Sequence, residues 1–188
     1  MLLEEVYNNA QIVYSGRHLT TVNEFTDQLP ALRPELLIEV AYRIIKTMDL
    51  TIDKIVTEED KGAPLATAIS IFTGIPLAMA RWYPYSLDDI TTHKVNLQSE
   101  YFEGSLYLNG ICHGDRVAII DDTLSTGGTA ISLVESIRHF GGEVTGIFCA
   151  VEKVQQNGRN HVLEKTGITV NSTLKISIDK NKVTIVNE

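Results

Sequence analysis

The order of apolar and polar positions along the chain predicts alternating helices and strands. Apolar residues recur at helical spacing from Pro34 onward, which predicts an amphipathic helix with proline in its first turn. Residues 54–57 form a short apolar run typical of a strand. Residues 62–72 then predict a buried helix that ends at Gly74, and 75–79 predict the next strand. A strand–helix–strand unit of this length predicts a parallel strand pair.

The C-terminal half contains a second unit of the same kind. Residues 116–120 are a continuous apolar run, and a polar loop over 121–127 leads into a predicted helix over 128–140. A buried strand is predicted over 144–151, and the alternating segment 168–186 predicts a terminal β-hairpin. The pattern therefore predicts an α/β fold, in which a mostly parallel, twisted sheet is flanked by helices. In such sheets ligands bind beyond the carboxyl ends of the strands.

The middle of the chain interrupts this alternation. Residues 82–95 have neither helical nor strand periodicity, and a loop of that length is a candidate functional loop. Two short strands are predicted to follow, over 97–101 and 105–108, with a hairpin turn at Glu103 and Gly104.

Composition and charge narrow the class of protein. The chain has 188 residues, 44% of them apolar and 21% charged, and a formal net charge of −8. This composition is that of an ordinary globular protein, and the acidic balance argues against binding to duplex DNA or to an anionic membrane surface. No segment has the ~20 apolar residues of a membrane span, and the acidic N-terminus is unlike a signal peptide. Two widely separated cysteines favour the reducing cytoplasm.

Residues 117–129 contain the densest chemistry in the chain. A buried strand leads to two adjacent carboxylates, Asp121 and Asp122, and then to a loop of hydroxyls and glycines that enters a helix N-terminus. Backbone N–H groups at a helix N-terminus bind anions such as phosphate. Because residues 117–134 include no Lys or Arg, dipoles and hydroxyls must hold that phosphate. Adjacent carboxylates suit sugar hydroxyls or a divalent cation, so the combination indicates a phosphorylated sugar.

Other interpretations of this segment fit less well. A Walker A loop requires a lysine after its second glycine, and a Rossmann fingerprint requires GxGxxG; both are absent. A purely structural strand–loop–helix with Asp at a cap position does not explain why an acidic pair, four hydroxyls and paired glycines coincide in one loop.

The segment resembles the phosphoribosyl-pyrophosphate (PRPP) binding motif of type I phosphoribosyltransferases, in which a hydrophobic strand and two acids precede a Thr/Ser-Gly-Gly-Thr turn. The resemblance extends over residues 30–153 and is greatest to the purine enzymes, in particular adenine and archaeal hypoxanthine/guanine-type enzymes. It implies the type I phosphoribosyltransferase fold as a single domain over 1–188. Within it the resemblance implies a small N-terminal hood over 1–30, a core over 31–153 and a C-terminal helix and β-hairpin over 154–188.

The resemblance also assigns roles outside the motif. The turn over 57–62 matches the family's pyrophosphate loop, in which Gly62 allows close backbone approach and Lys61 supplies positive charge. Arg81 stands where the adenine branch has an arginine that contacts PRPP. That branch usually continues with a basic residue, whereas this chain has Trp82, and Lys94 is the candidate substitute.

Residues 99–104 resemble the Leu-Glu-Tyr-Gly stretch of adenine phosphoribosyltransferases, with an additional Phe-Glu pair before the glycine. Glu100 matches the glutamate that is the proposed acid/base at the purine ring, so the predicted catalytic residues are Glu100, Asp121 and Asp122. The predicted PRPP-binding residues are Lys61, Gly62, Arg81, Lys94, Asp121, Asp122, Thr123, Leu124, Ser125, Thr126, Gly127, Gly128 and Thr129.

The implied reaction transfers the 5-phosphoribosyl group from PRPP to a purine and releases pyrophosphate, in purine salvage. Mg²⁺ is the implied cofactor, with Asp121 and Asp122 acting on it indirectly, and a homodimer is the implied assembly. Adenine and hypoxanthine/guanine remain alternatives, because a hood that includes residues 13–17 is expected to read the base through backbone groups.

Three alternative functions stay open. Orotate is the second candidate substrate, since residues 61–65 also resemble the orotate branch. A non-catalytic PRPP-sensing regulator would show a basic face or an added winged helix, and neither is evident. A small-molecule binding module that has lost catalysis is supported only by Trp82.

Overall fold

The computed structural model describes residues 1–16, 18–84, 93–98, 103–180 and 182–187. Its helices are α1 Leu2–Asn8, α2 Glu24–Asp27, α3 Pro34–Ile45, α4 Ala63–Thr73, α5 Gly128–His139 and α6 Gly158–Thr166, with a 3₁₀ turn over Val154–Gln156. Its strands are β1 Gln11–Ser15, β2 His18–Val22, β3 Lys54–Glu58, β4 Leu77–Ala80, β5 His93–Gln98, β6 Glu103–Leu108, β7 Arg116–Leu124, β8 Glu143–Lys153, β9 Val170–Ile178 and β10 Val183–Ile185.

The centre of the fold is a sheet whose strand order, within the described part of the chain, is β10-β9-β8-β7-β3-β4. All its neighbouring strands are parallel except β9 and β10, which form the terminal antiparallel hairpin. Two apolar layers cover the sheet. One contains Leu36 and Val40 of α3 and Ile69 of α4, and the other contains Leu133 and Ile137 of α5. The predicted α/β class with a mostly parallel sheet is therefore confirmed.

The first strand–helix–strand unit follows the sequence pattern closely. Helix α3 begins at Pro34, whose missing N–H costs nothing in a first turn, and α4 ends at Gly74, which has the left-handed φ of 73°. Strand β4 begins at Leu77, two residues later than predicted. The backbone N–H of Ile55 donates to the carbonyl oxygen of Pro76, but proline has no N–H with which to return a bond.

The polar loop predicted over 121–127 is wrong in its first part. Strand β7 continues to Leu124, because Asp121 pairs with Cys149 and Thr123 with Val151 on β8. A long neighbouring strand thus supplies backbone partners to residues whose side chains look like those of a loop. The loop before α5 is reduced to residues 125–127.

The predicted hairpin turn at Glu103 and Gly104 is also wrong. Both residues belong to β6, which pairs antiparallel with β5, and the register places Gln98 opposite Glu103. The ladder therefore includes residues 93–95, which were predicted to be loop, whereas residues 99–102, which include the end of the strand predicted over 97–101, lie outside the described residues. The backbone of Arg81 exchanges two hydrogen bonds with Tyr107, which fixes β6 beside the end of β4.

The N-terminal segment forms α1, the antiparallel hairpin β1–β2 and the short helix α2. Side chains of both hairpin strands face the carboxyl end of the central sheet across a cleft. No helix in the described ranges is long and apolar enough to cross a membrane.

Candidate active site

The cleft lies at the carboxyl ends of the neighbouring parallel strands β3, β7 and β8, where an α/β sheet is expected to bind ligands. Its volume is about 530 Å³, within the usual range for small-molecule sites. The residues that line it are Tyr7, Val13, Tyr14, Ser15, Thr20, Thr21, Val22, Thr26, Asp27, Glu58, Asp60, Lys61, Trp82, Asp121, Asp122, Thr123, Ser125, Thr129 and Lys153.

Three buried carboxylates meet at the floor of this cleft. Glu58 ends β3, and Asp121 and Asp122 lie near the end of β7, the strand parallel to it. One carboxylate oxygen from each residue lies within 4.8 Å of those of the other two. Burial and the negative charges of Asp122 and Glu58 raise the pKa of Asp121 well above its ordinary value. Clustered carboxylate oxygens are the hard ligands that Mg²⁺ prefers, so the residues present fit that cation.

The acidic pair is held in place by short-range hydrogen bonds. The backbone N–H of Asp122 donates to Asp121 Oδ1 at 2.9 Å, and Thr123 Oγ1 donates to Asp122 Oδ2 at 2.8 Å. Tyr7 of α1 is completely buried against this group, and burial and the charge of Asp122 raise the pKa of its phenol. The N-terminal helix therefore reaches the floor of the cleft.

Glu58 also binds the loop that follows its own strand. Its carboxylate accepts the backbone N–H groups of Asp60 at 3.0 Å and of Gly62 at 3.3 Å, and the indole N–H of Trp82 at 3.2 Å. Burial nevertheless raises the pKa of Glu58, and Asp122 adds to this, although the two backbone N–H groups act in the opposite direction.

The loop over 125–127 connects β7 to the N-terminus of α5. Gly127 has a left-handed φ of 85° and packs against Val162 of α6. His161 Nδ1 lies 2.9 Å from the carbonyl oxygen of Thr126, so α6 supports the loop from behind. Ser125 and Thr129 face the cleft.

The remaining motif residues take other positions around this loop. Leu124 packs its side chain into the core. Gly128 opens α5.

Two lysines line the cleft. Lys61 Nζ donates to Asp27 Oδ1 at 2.7 Å, and this ion pair raises the pKa of Lys61 although burial alone would lower it. Lys153 ends β8; its side chain is only 4% exposed, and its Nζ lies 3.3 Å from Thr20 Oγ1 on β2. Lysine side chains from the loop after β3 and from the end of β8 thus line the same cleft as the three carboxylates.

The other predicted site residues lie elsewhere. The Arg81 guanidinium is 5.8 Å from the ring centroid of Tyr83, and Lys94 is an exposed residue of β5 paired with Tyr107. Neither residue lines the cleft. Glu100 lies outside the described residues.

Sequence reasoning missed Glu58, Lys153, Asp27 and Tyr7. Glu58 carries a usable signal, because it follows the apolar run of β3 as Asp121 follows the apolar run of the parallel strand β7. Lys153 comes two positions after the apolar run of β8, next to Glu152. Asp27 and Tyr7 belong to the N-terminal segment, whose short elements have no clear periodicity.

Comparisons with known proteins identify relatives of the chain. The sequence model of the phosphoribosyl transferase domain matches residues 26–184. The hypoxanthine/guanine phosphoribosyltransferase of Methanothermococcus okinawensis is 40% identical over 186 residues, which cover 98% of this chain and 99% of that protein. The protein of the same name from Methanotorris igneus is 40% identical over 188 residues, which cover 99% of this chain and all of that protein.

Solved structures show the same architecture. The adenine phosphoribosyltransferase of Thermoanaerobacter pseudethanolicus has a TM-score of 0.76 at 23% identity, with 92% of this chain and 99% of that chain covered. The adenine phosphoribosyltransferase of Rhodothermus marinus has a TM-score of 0.73 at 25% identity, with 92% and 97% covered.

Proposed function

Because the chain belongs to the type I phosphoribosyltransferase family, in its purine branch, we propose that it transfers the 5-phosphoribosyl group from PRPP to a 6-oxopurine, hypoxanthine or guanine. The products are the nucleoside 5′-monophosphate and pyrophosphate. The observation that carries the proposal is the buried acidic floor of the cleft, which lies beside a hydroxyl-rich loop at a helix N-terminus.

The 5′-phosphate binds at the loop before α5. Ser125 and Thr129 face the cleft there, and the first N–H groups of α5 have no partners within the helix. The proposed phosphate site also includes Thr126 and Gly127 of the loop, Thr123 and the backbone of Leu124 at the end of β7, and Gly128 at the start of α5. Asp121 and Asp122 accept hydrogen bonds from the ribose hydroxyls.

The pyrophosphate group lies on the opposite side of the acids, over the loop of residues 59–62. Lys61 faces the cleft from that loop, and Arg81 and Lys94 are proposed to supply further positive charge. When bound at the carboxylates, Mg²⁺ offsets the negative charge of the leaving pyrophosphate. The protein's own residues position the two substrates.

The reaction needs no protein nucleophile, since a ring nitrogen of the base attacks C1 of the ribose as pyrophosphate leaves. Glycosyl transfer of this kind passes through an oxocarbenium-like transition state. The carboxylates next to the ribose stabilise that positive charge, and the cleft holds base and sugar in line. Glu100 is proposed to manage the proton on the purine.

Lys153 favours a 6-oxopurine over adenine. An ammonium group has three N–H donors and no acceptor, so it donates to an oxo group but accepts nothing from a 6-amino group. Lys153 is buried in the cleft wall and close to the hood strand β2, where the base is expected. The names of the relatives at 40% identity support the same preference.

The proposal includes a cytoplasmic location, expected from the cysteine usage, and a homodimer and a single domain over residues 1–188, both expected from the family resemblance. The test is an incubation with PRPP, Mg²⁺ and, one at a time, adenine, hypoxanthine, guanine, xanthine, orotate or uracil, with pyrophosphate release as the readout. Release with hypoxanthine and guanine is expected. Release with adenine alone contradicts the choice of base, and no release with any base contradicts the transferase function.

A further inference from the structure

Three N–H groups converge on the carboxylate of Glu58. Two of them, from Asp60 and Gly62, belong to the loop proposed to bind pyrophosphate, and the third is the indole N–H of Trp82. Successive backbone N–H groups of a tight loop that point at one place form an anion site. In this protein a side chain of the preceding strand already occupies that site.

This arrangement is unfavourable once a diphosphate arrives. Carboxylate oxygens of Glu58, Asp121 and Asp122 already lie within 4.8 Å of one another, and the substrate adds several negative charges beside them. Like charges at such distances in a buried site repel strongly. The N–H groups that the diphosphate needs are also bonded to the carboxylate that repels it.

We propose that Glu58 is a positioning residue whose carboxylate occupies the anion site of loop 59–62 in the free protein and releases the N–H groups of Asp60 and Gly62 to the diphosphate of the substrate. The inference rests on the proposed function and adds a step to it. The diphosphate replaces the carboxylate as the acceptor of the same N–H groups. Because the carboxylate already holds these groups together, the loop has its binding conformation before the substrate arrives.

Trp82 also takes part in this exchange, because it is bonded both to Glu58 and to the loop. Its backbone N–H donates to Glu59 Oε1 at 2.9 Å, which ties residue 82 to the loop. The sequence places Trp82 where the adenine branch usually has a basic residue. A neutral indole N–H can bind Glu58 without adding a charge that would hold the carboxylate in place.

The exchange can be measured directly, because Trp82 is the only tryptophan of the chain. Its emission is recorded while the full-length protein is titrated with pyrophosphate in the presence of a metal chelator, because Glu58 is also one of the carboxylates that fit Mg²⁺. The variants are Glu58→Gln, which removes the charge but keeps the shape, and Glu143→Gln, a control that removes a carboxylate at the opposite end of β8 and leaves the three donors on Glu58.

The wild type and Glu143→Gln are expected to change their emission on pyrophosphate binding, because the environment of the indole N–H changes. Glu58→Gln is expected to lose most of that change and to bind pyrophosphate about tenfold more tightly, since a like charge is gone. A purely structural role of Glu58 predicts the opposite, weaker pyrophosphate binding from a loosened loop.

Weaker or unchanged pyrophosphate binding by Glu58→Gln overturns the inference. If that variant does not fold, the wild-type titration decides, and saturation without any change in emission overturns the inference as well. Failure of the proposed function is distinguishable, because the wild type would then form no nucleotide from PRPP with any purine, whatever the emission does.

Discussion

Gly62 faces Thr57 with no room for a side chain between them. A Cβ at position 62 would lie 2.5 Å from Thr57 Oγ1 and 3.1 Å from Asp121 Oδ1. The hydroxyl of Thr57 is buried and has no hydrogen-bond partner in the described part of the chain. The loop after β3 therefore rests directly on the acid at the end of β7.

Gly62→Ala should destabilise the protein by roughly 1–3 kcal/mol because of this overlap. The φ of Gly62 is −72°, which alanine adopts without strain, so the backbone alone would predict a small gain. Denaturation in urea measures the free energy of unfolding and shows whether the substitution lowers or raises it. Thr57→Ala in the same chain removes the nearer contact and should recover part of the loss. A Gly62→Ala variant as stable as the wild type would refute the contact.

Asp121→Asn combined with Asp122→Asn should abolish PRPP-dependent nucleotide formation, with a loss of at least about 10² in kcat/KM. The thermal midpoint should be retained or raised, because clustered buried carboxylates repel one another and the pKa of Asp121 is raised for that reason. Activity and melting are measured on the same preparation. Glu143→Gln, at the opposite end of β8, is the control for removal of a carboxylate. Undiminished activity in the double variant would defeat the site assignment.

Glu100→Ala tests the proposed proton transfer at the purine. A general acid or base typically contributes about 10²–10⁴ in rate, so kcat should fall by that factor. Single-turnover kinetics with saturating PRPP isolates the chemical step. Glu103→Ala is the control, because it removes a neighbouring acid of the same stretch. A loss below roughly tenfold is too small for the assigned role.

Lys153→Met should reduce kcat/KM for hypoxanthine and guanine by about 10–10², since a hydrogen bond from a charged donor contributes roughly 1.5–3 kcal/mol. Methionine fills a similar volume without a donor, which separates hydrogen bonding from packing. The ratio of hypoxanthine to adenine use is the readout, with Lys165→Met as an exposed control. An unchanged ratio would remove Lys153 from base recognition.

Arg159→Met should destabilise the protein at pH 7 by about 3 kcal/mol, because it leaves the buried Glu152 without its cation. Burial alone would raise the pKa of Glu152, but hydrogen bonds from Arg159 and Ser172 hold it below its ordinary value. The stabilisation is therefore present above the unfolded pKa of about 4.3 and disappears as the pH falls through the folded pKa.

Urea denaturation of the wild type and of Arg159→Met, at neutral pH and near pH 3, measures this dependence. The difference in unfolding free energy between the wild type and Arg159→Met should be smaller near pH 3 than at neutral pH. A constant difference would mean that the bonds from Arg159 to Val170 and Ser172, and not its ion pair, carry the effect.

The sequence pattern predicts those elements whose identity is set by local apolar periodicity. Helix α3 follows amphipathic spacing, helix α4 an apolar segment rich in Ala and Ile, and strands β3, β7 and β8 apolar runs. The parallel pairing of the strands follows from the connections between them. The end of β7 is missed because Asp121 looks like a loop residue until β8 supplies its backbone partners. The ends of β5 and β6 are missed for the same reason, since pairing across the hairpin sets them.

The same distinction between local pattern and long-range pairing applies to the residues of the candidate site. Asp121 and Asp122 are found from one contiguous motif. Glu58 and Lys153 join them only through the order of strands in the sheet, which a single segment of sequence does not contain. Glu58, at the end of β3, comes within 4.8 Å of acids more than 60 positions later in the chain.

The acidic floor of the cleft has a consequence for how the chain assembles. The unit formed by β7, α5 and β8 is continuous in sequence, so it can form through contacts between nearby segments. Strand β3 must instead pair with β7 across a long separation in sequence, and such pairing forms slowly. Contact order therefore predicts that the phosphate loop forms before the acidic floor is complete. A substrate that requires both binds only the finished sheet, so its binding free energy adds to the stability of the native state.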